Sequence, residues 1–364
     1  MTRRFVVPGA TALALACGSA SAHHPGAAAN SGTAGPINTL SATTLEQGRF
    51  AVSFTYEMTK VDAFSDAELA AYSGADQHVH SMDRILAPAL GLAYGVTNDL
   101  MVSLRLPYVK RSDIREAAHH HEEHGHGEHE EEHGSALARG DSAGIGDLTV
   151  LGQYRLFNNR ASGTEFAALA GFKAPTGRTG VRDDHGEIFE AEFQPGSGAW
   201  DGLFGLAATQ RLGAVSLDAH VLYILTGEGT QDTDLGDRLH YGVALSYRML
   251  GGARAGGPMY AGAHSHSHSH PKGGPAHHHH EEAPAGPALD LVLELNGEWS
   301  DQQEIAGVED PNSGGHTFYV SPGARLSMGN WSGFASVGIP IVNNLDGIQA
   351  EPEWRLLTGI SVGF

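Results

Sequence analysis

A period-two alternation of apolar and polar side chains, repeated in twelve segments, is the feature that most restricts how this chain can fold. In the first, Phe50, Val52, Phe54, Tyr56 and Met58 make one apolar face and Ser53, Thr55 and Glu57 the other, because successive side chains of a strand point to opposite sides. Leu86, Leu90, Leu92 and Tyr94 repeat it, and after the turn signal Gly95-Val96-Thr97-Asn98 so do Leu100, Val102, Leu104, Leu106 and Tyr108, which reads as a hairpin. The others run through Leu148 to Leu156, Phe166 to Phe172, Phe204 to Leu212, Val215 to Leu225, Leu239 to Met249, Leu289 to Leu295, Phe318 to Met328, Trp331 to Ile341 and Trp354 to Phe364. Gly, at 49 of 364 residues, suits the turns between such segments, and a charged fraction of 18% is too low for a disordered chain.

Two-faced strands suit a soluble sandwich or a membrane barrel, and the faces decide between them. An even number of strands and a terminal Phe364 favour a barrel whose apolar face meets lipid and whose polar face lines the lumen. Tyr56, Tyr94, Tyr108, Tyr154, Tyr223, Tyr241, Tyr247, Trp299, Trp331 and Trp354 fall near strand ends and predict aromatic girdles. The expected fold is therefore all-β: a transmembrane, antiparallel, up-and-down β-barrel of about twelve strands with His-rich loop insertions. Lipid is the expected surround, and the barrel-assembly machinery is expected to recognise Phe364. Luminal candidates of both signs are Glu57, Arg105, Asp147, Arg155, Lys173, Arg211, His220, His240, Arg248, Glu294, Arg325 and Arg355, expected to form a polar lining with internal ion pairs.

Residues 1–22 carry Arg3 and Arg4, an apolar stretch from Phe5 to Cys17 and Ala20-Ser21-Ala22, the pattern of a cleaved secretory signal. A lipoprotein role for Cys17 or a twin-arginine role for Arg3-Arg4 is disfavoured. Cleavage would remove the single Cys and take the formal charge from −20 to −22, so neither disulfides nor thiolates are available. That charge excludes nucleic acid as a partner and suits cations. Residues 23–47, rich in Ala, Gly, Ser and Thr, read as a flexible N-terminal segment, and residues 48–364 as the barrel.

The stretches Leu90-Gly91-Leu92-Ala93-Tyr94-Gly95-Val96-Thr97-Asn98-Asp99-Leu100, Gly144-Ile145-Gly146-Asp147-Leu148 with Gln153-Tyr154-Arg155-Leu156, Ala174-Pro175-Thr176-Gly177-Arg178 and Pro195-Gly196-Ser197-Gly198-Ala199-Trp200-Asp201 resemble the outer-membrane barrel family named after a phenol meta-cleavage pathway. The resemblance covers most of residues 48–364. It implies a transporter or channel of the Gram-negative outer membrane, in some members within aromatic degradation. The two His-rich insertions depart from that pattern.

Those insertions, in loops 117–135 and 263–283, carry the sharpest chemical signal, because 15 of the 23 His lie in them. The first holds His119, His120, His121, His124, His126, His129 and His133 with Glu122, Glu123, Glu128 and Glu130 to Glu132. The second holds His264, His266, His268 and His270 alternating with Ser, then His277, His278, His279 and His280. Imidazoles suit Zn, Cu, Ni and Co, and carboxylates add attraction for cations. Neither tract has the spacing of one tetrahedral site, so several exchangeable sites for divalent transition metals are expected, with no obligatory cofactor. Strand counting puts the first tract in the second external loop and the second in a periplasmic connection; an error of one hairpin would put both on one side.

His23-His24 could add a ligand but reads as a remnant of signal cleavage. Gly140-Asp141-Ser142-Ala143-Gly144 matches G-x-S-x-G but precedes a strand instead of joining strand to helix, so no enzyme and no catalytic residues are expected. The leading expectation is an outer-membrane channel whose tracts serve metal passage or buffering. The alternatives are a passive channel for small hydrophobic or aromatic compounds with incidental His tracts, and a non-conducting metal buffer.

Overall fold

Each of the twelve two-faced segments forms a strand, and the strands close on themselves. The computed structural model describes residues 15–16, 35–75, 77–118, 135–251 and 286–364; the two His-rich tracts fall outside them. The wall starts with β1 (Phe50–Val61), followed by a strand interrupted at Ala87-Pro88 into β3 (Arg84–Leu86) and β4 (Ala89–Gly95). Next come β5 (Leu100–Ala118) and a strand interrupted at Gly146-Asp147 into β6 (Ser135–Ile145) and β7 (Leu148–Asn159). The wall continues with β8 (Thr164–Ala174), β9 (Asp201–Leu212), β10 (Val215–Leu225), β11 (Arg238–Leu250), β12 (Ala288–Ser300), β13 (Gly315–Met328), β14 (Trp331–Leu345) and β15 (Pro352–Gly363). Sequence neighbours pair antiparallel throughout, and β15 returns to β1 in register from Pro352↔Val61 to Gly363↔Ala51, so no edge is left unpaired. Outside the wall, β1 leads into α1 (Asp66–Gly74), whose Ser65 and Glu68 form a capping box, and into β2 (His78–Ser81), which pairs with the far end of β5.

The alternation fixes which way each residue faces. Leu90, Leu206, Leu293, Ile339 and Ile360 are exposed on the outer surface, while Ser53, Thr55, Glu57, Gln153, Asp218 and Asn296 are buried in the interior. A water-soluble monomer rarely exposes a continuous apolar band of this extent; a barrel in lipid requires one. Among the described residues no helix is long and apolar enough to cross a membrane. Tyr94, Tyr154, Tyr247 and Trp331 are exposed near one end of the wall, with Phe50 stacked on Phe364 at 4.8 Å; Tyr108, Tyr223 and Trp299 are exposed near the other. Tyr56 departs from the expected girdle and lies mid-strand in β1. Tyr241 lies across Gly297 of β12, where a Cβ would come within 2.1 Å of its ring, and its hydroxyl meets His316 Nε2 at 2.7 Å.

The connections at the two ends differ in length. At the end holding Phe50 and Phe364 the turns are 96–99, 160–163, 213–214 and 329–330, with 251–287 the exception; the other end has 62–83, 119–134, 175–200, 226–237, 301–314 and 346–351. Short turns belong to the periplasmic side of such barrels and long loops to the outside. The first His tract therefore leaves from the external end, between β5 and β6, and the second from the opposite end, between β11 and β12.

The N-terminal segment departs from its expected reading. Residues 35–45 do not extend freely but run inside the barrel, with Ile37, Thr39, Leu40 and Ala42 fully buried. Leu40, Ala42 and Leu45 pack on an inward-facing apolar strip that includes Met101, Leu151, Leu169, Leu203, Leu222 and Ile224, and Ile37 packs on Val292, Phe334 and Leu357 across the lumen. The small Ala, Ser and Thr side chains that read as a flexible lead-in are those that fit a crowded lumen.

Candidate functional site: the lumen and its external mouth

Residues 36–44 are held by side chains of the wall acting on backbone. The Glu294 carboxylate of β12 accepts from the N–H groups of Ile37 (3.1 Å), Asn38 (2.9 and 3.0 Å) and Thr39 (2.9 Å), and from the Asn38 side-chain amide (2.5 Å). Arg325 donates to the Pro36 carbonyl (2.7 Å), Gln153 to that of Thr43 (2.9 Å) and Arg211 to the Thr43 hydroxyl (2.6 Å). Ala42 N–H donates to Thr209 Oγ1 (2.9 Å) and Leu40 N–H to His220 Nδ1 (3.3 Å). An irregular segment buried in a barrel has no ladder for its backbone, so these side chains supply the partners. Glycines seat it at two close approaches: a Cβ on Gly242 would lie 3.0 Å from Thr39 Oγ1, and one on Gly323 would lie 2.7 Å from Ile37 Cδ1.

The charged luminal residues expected from sequence do form internal ion pairs. Arg248 meets Asp290 at 2.7 Å, Arg355 meets Glu298 at 2.6 Å, Lys173 meets Asp201 at 2.6 Å, Arg211 meets Glu165 at 2.7 Å and Arg105 approaches Glu57 at 3.8 Å. Arg355 also lies over the Tyr319 ring at 4.1 Å. Arg155 pairs instead with Asp99 at the short-turn end, at 2.9 Å. Small cavities lie on the external side of the segment. One cavity, lined by residues including Thr59, Arg238, His240, Glu298 and Arg355, offers about 50 Å³ to the centres of water molecules, enough for roughly four waters. A second, on the far side of Arg238 among Arg105, Asp147, Lys173 and Asp201, offers about 20 Å³.

From outside, the lumen is covered by the loop 175–200. Its base is a knot built from the three glycine-containing motifs read in the sequence. Asp147, buried after Gly146, accepts from Gly177 N–H (2.8 Å), Ser197 N–H (2.8 Å) and Ser197 Oγ (3.0 Å), while Gly177 and Gly196 meet so closely that neither could carry a side chain. Beyond the knot, Val181, Phe189 and Phe193 pack on Val61 of β1, Ile85 of β3, and Val109 and Ile114 of β5. Arg111 donates to the Gln194 carbonyl at 3.1 Å. Gly140-Asp141-Ser142-Ala143-Gly144 lies within β6, paired to β5.

Where this loop meets β2 and β5, His80 is buried beside three carboxylates. Its Nε2 lies 3.2 Å from Glu116 Oε2 and 3.3 Å from Glu190 Oε2, and ligand atoms of His80, Glu190 and Glu192 all lie within 4.8 Å of one another. Burial alone would lower the imidazole pKa, but Glu190, Glu116 and Glu192 outweigh it and raise it to about 9. Phe193 packs edge-on against the ring at 5.3 Å. Sequence reading did not single these residues out. Glu190-x-Glu192 is an unremarkable acidic pair, and nothing local says that a loop 110 residues away folds back onto His80. The expected ligands His119 to His133 with Glu122, Glu123 and Glu128, and His264 to His280, lie outside the described residues.

Fold and lumen define a class: a closed, lipid-facing β-barrel of the outer-membrane channel type, with its lumen crossed by its own N-terminal segment. The model of the family described as "Putative MetA-pathway of phenol degradation" matches residues 63–289, and the chain belongs to that family. Among solved structures, an outer membrane channel from Pseudomonas putida F1 is 15% identical, with 89% of this chain and 98% of that one covered at a TM-score of 0.50. The β domain of the Bordetella autotransporter BrkA (10% identity, 88% and 100% covered, TM-score 0.41) and a deletion mutant of the TodX monoaromatic hydrocarbon channel (9%, 88% and 91%, 0.37) also align. No curated protein matches the chain by sequence.

Proposed function

We propose that the protein is an outer-membrane channel for small polar and ionic solutes, closed at rest by residues 35–45, whose His-rich tracts collect divalent transition metals at its two mouths. The observation that carries this reading is the way the segment is held. Polar side chains bind its backbone and glycines leave it room, so it can leave the lumen as a unit and expose a lining of charged residues. Acidic and basic groups alternate along that lining, which suits hydrated ions of either sign. Selection for cations then rests on the tracts, where most imidazoles are unprotonated near pH 7 and protonated below about pH 6.

Conductance in planar bilayers tests the reading: a chain lacking residues 35–45 should conduct more than the parent, and equal silence of both would favour a non-conducting metal buffer. Isothermal titration with Zn, Ni and Cu tests the tracts; binding that survives excision of residues 119–133 and 264–280 unchanged would remove them from the function. A second reading, passage of small aromatic compounds, is supported by the apolar strip of Leu151, Leu169, Leu203, Leu222 and Ile224 against which Leu40 packs. The family's description points the same way. Liposome entry of phenol compared with that of metal salts separates the two.

A further inference from the structure

We propose that His80, Glu190 and Glu192 form a site for one divalent transition-metal ion, which pins the loop 175–200 to the barrel wall. The ligands come from two elements far apart in sequence: His80 lies on β2, in register with Glu116 of β5, whereas Glu190 caps and Glu192 lies within the single helical turn Ala191–Phe193 of the covering loop. Bonds of about 2.0–2.2 Å from one metal to nitrogen and oxygen ligands set their mutual separations at roughly 3.0 Å in an octahedron and 3.4 Å in a tetrahedron. The distance of 3.3 Å from His80 Nε2 to Glu190 Oε2 falls in that interval, and ligand atoms of His80, Glu190 and Glu192 all lie within 4.8 Å of one another. Two carboxylates of the covering loop are thus brought to one imidazole of the wall side, the convergence that a shared metal ion requires.

The surroundings have the features of a supporting shell. The Phe193 ring fixes the plane of the imidazole, and Arg139 holds Glu116 at 3.1 Å, Asp183 at 2.7 Å and Glu187 at 3.2 Å. With Arg111 and Arg139 set against Glu116, Asp183, Glu187, Glu190 and Glu192, the cluster carries an excess of three negative charges once His80 has given up its proton to act as a ligand, so a dication is accommodated without inverting the local field. His80 and Glu192 are buried, whereas Glu190 keeps a quarter of its side chain open, which gives an ion a way in. One imidazole with carboxylates and no sulfur suits Zn2+ and other borderline dications and disfavours the soft Cu+ ion. Glu116, in contact with His80, stands two residues from Ala118, where β5 gives way to the His119 tract.

The tracts would mask a single site, so binding is measured with both excised. Ala118 pairs directly with Ser135, and Leu250 with Leu289, so short turns can replace the excised stretches without touching the wall. Isothermal titration of that barrel with Zn2+ should give one equivalent. His80→Ala and the pair Glu190→Gln with Glu192→Gln should each weaken it at least tenfold, with heat-modifiable gel mobility showing that every variant is folded. Zn-edge anomalous scattering from crystals of the full chain should show a peak between His80 and Glu190. A tract-free barrel that takes up no Zn2+, or variants that bind like the parent, would overturn the site and leave an ion-pair cluster centred on protonated His80. The pinning has its own readout and rests on the channel reading: external Zn2+ should lower the conductance of the full chain but not that of His80→Ala. Equal conductance responses with binding intact would overturn the pinning alone.

Discussion

A carboxylate that accepts three consecutive backbone N–H groups does for residues 37–39 what a bound anion does at the end of a helix, and Glu294 is therefore the single side chain on which closure most depends. Hydrogen bonds to a charged acceptor contribute roughly 1.5–3 kcal/mol each, more than neutral ones. Glu294→Gln keeps the shape but removes the charge, and should weaken docking by about 2 kcal/mol, a roughly thirtyfold shift toward the undocked segment. Single-channel recording checks it: longer or more frequent openings than the parent are expected, with Glu294→Leu larger still because the three donors then lose their acceptor. An unchanged open fraction would mean that the segment is not the gate. The sequence marks Glu294 as luminal because it alternates with Leu293 and Leu295, but assigns it to ion pairing. Its actual partners are main-chain groups about 256 positions away, and backbone donors leave no trace in residue identity.

At the level of elements, the wall was legible and the contents of the lumen were not. A strand in lipid repeats its constraint every second residue, so Trp354, Leu356, Ile360 and Val362 announce β15 without help from the rest of the chain. Residues 35–45 lack any period because they follow the shape of a cavity made by twelve other segments, and low complexity is all that shows. A covalent lock follows from the same geometry. Thr39 reaches the lumenal face of β11 at Gly242, so Thr39→Cys with Gly242→Cys should form a disulfide once the new Cβ pushes aside the Asn296 amide, which it would meet at 2.7 Å. The mature chain expected after cleavage has no competing thiol. The double variant should be closed under oxidising conditions in bilayers and return with dithiothreitol to the conductance of the Gly242→Cys single variant, whereas neither single cysteine should respond to the change. A double variant that conducts equally in both states would show that solutes pass without moving the segment.

On the scale of the whole molecule, the barrel and its tracts are separable, and that separation explains the composition. Most of the imidazoles lie in two stretches that leave from opposite ends of a wall whose hydrogen bonding passes beneath them, Ala118 to Ser135 at one end and Leu250 to Leu289 at the other. The tracts close hairpins that are already paired, so their removal costs the wall no ladder bond. Excision of residues 119–133 and 264–280 should therefore leave the unfolding temperature within a few degrees of the parent's while removing most Zn2+ uptake. Uptake by the parent should in turn fall as pH drops through the imidazole range near 6.5, since protons compete for the ring nitrogens. The buried His80 faces different competition and need not follow the same curve, so a tract-free barrel titrated alongside the parent separates the two populations. Parental uptake that is flat between pH 8 and 5 would assign the metal to carboxylates instead. A large fall in unfolding temperature on excision would show that the tracts fold onto the barrel and that the two parts are not independent.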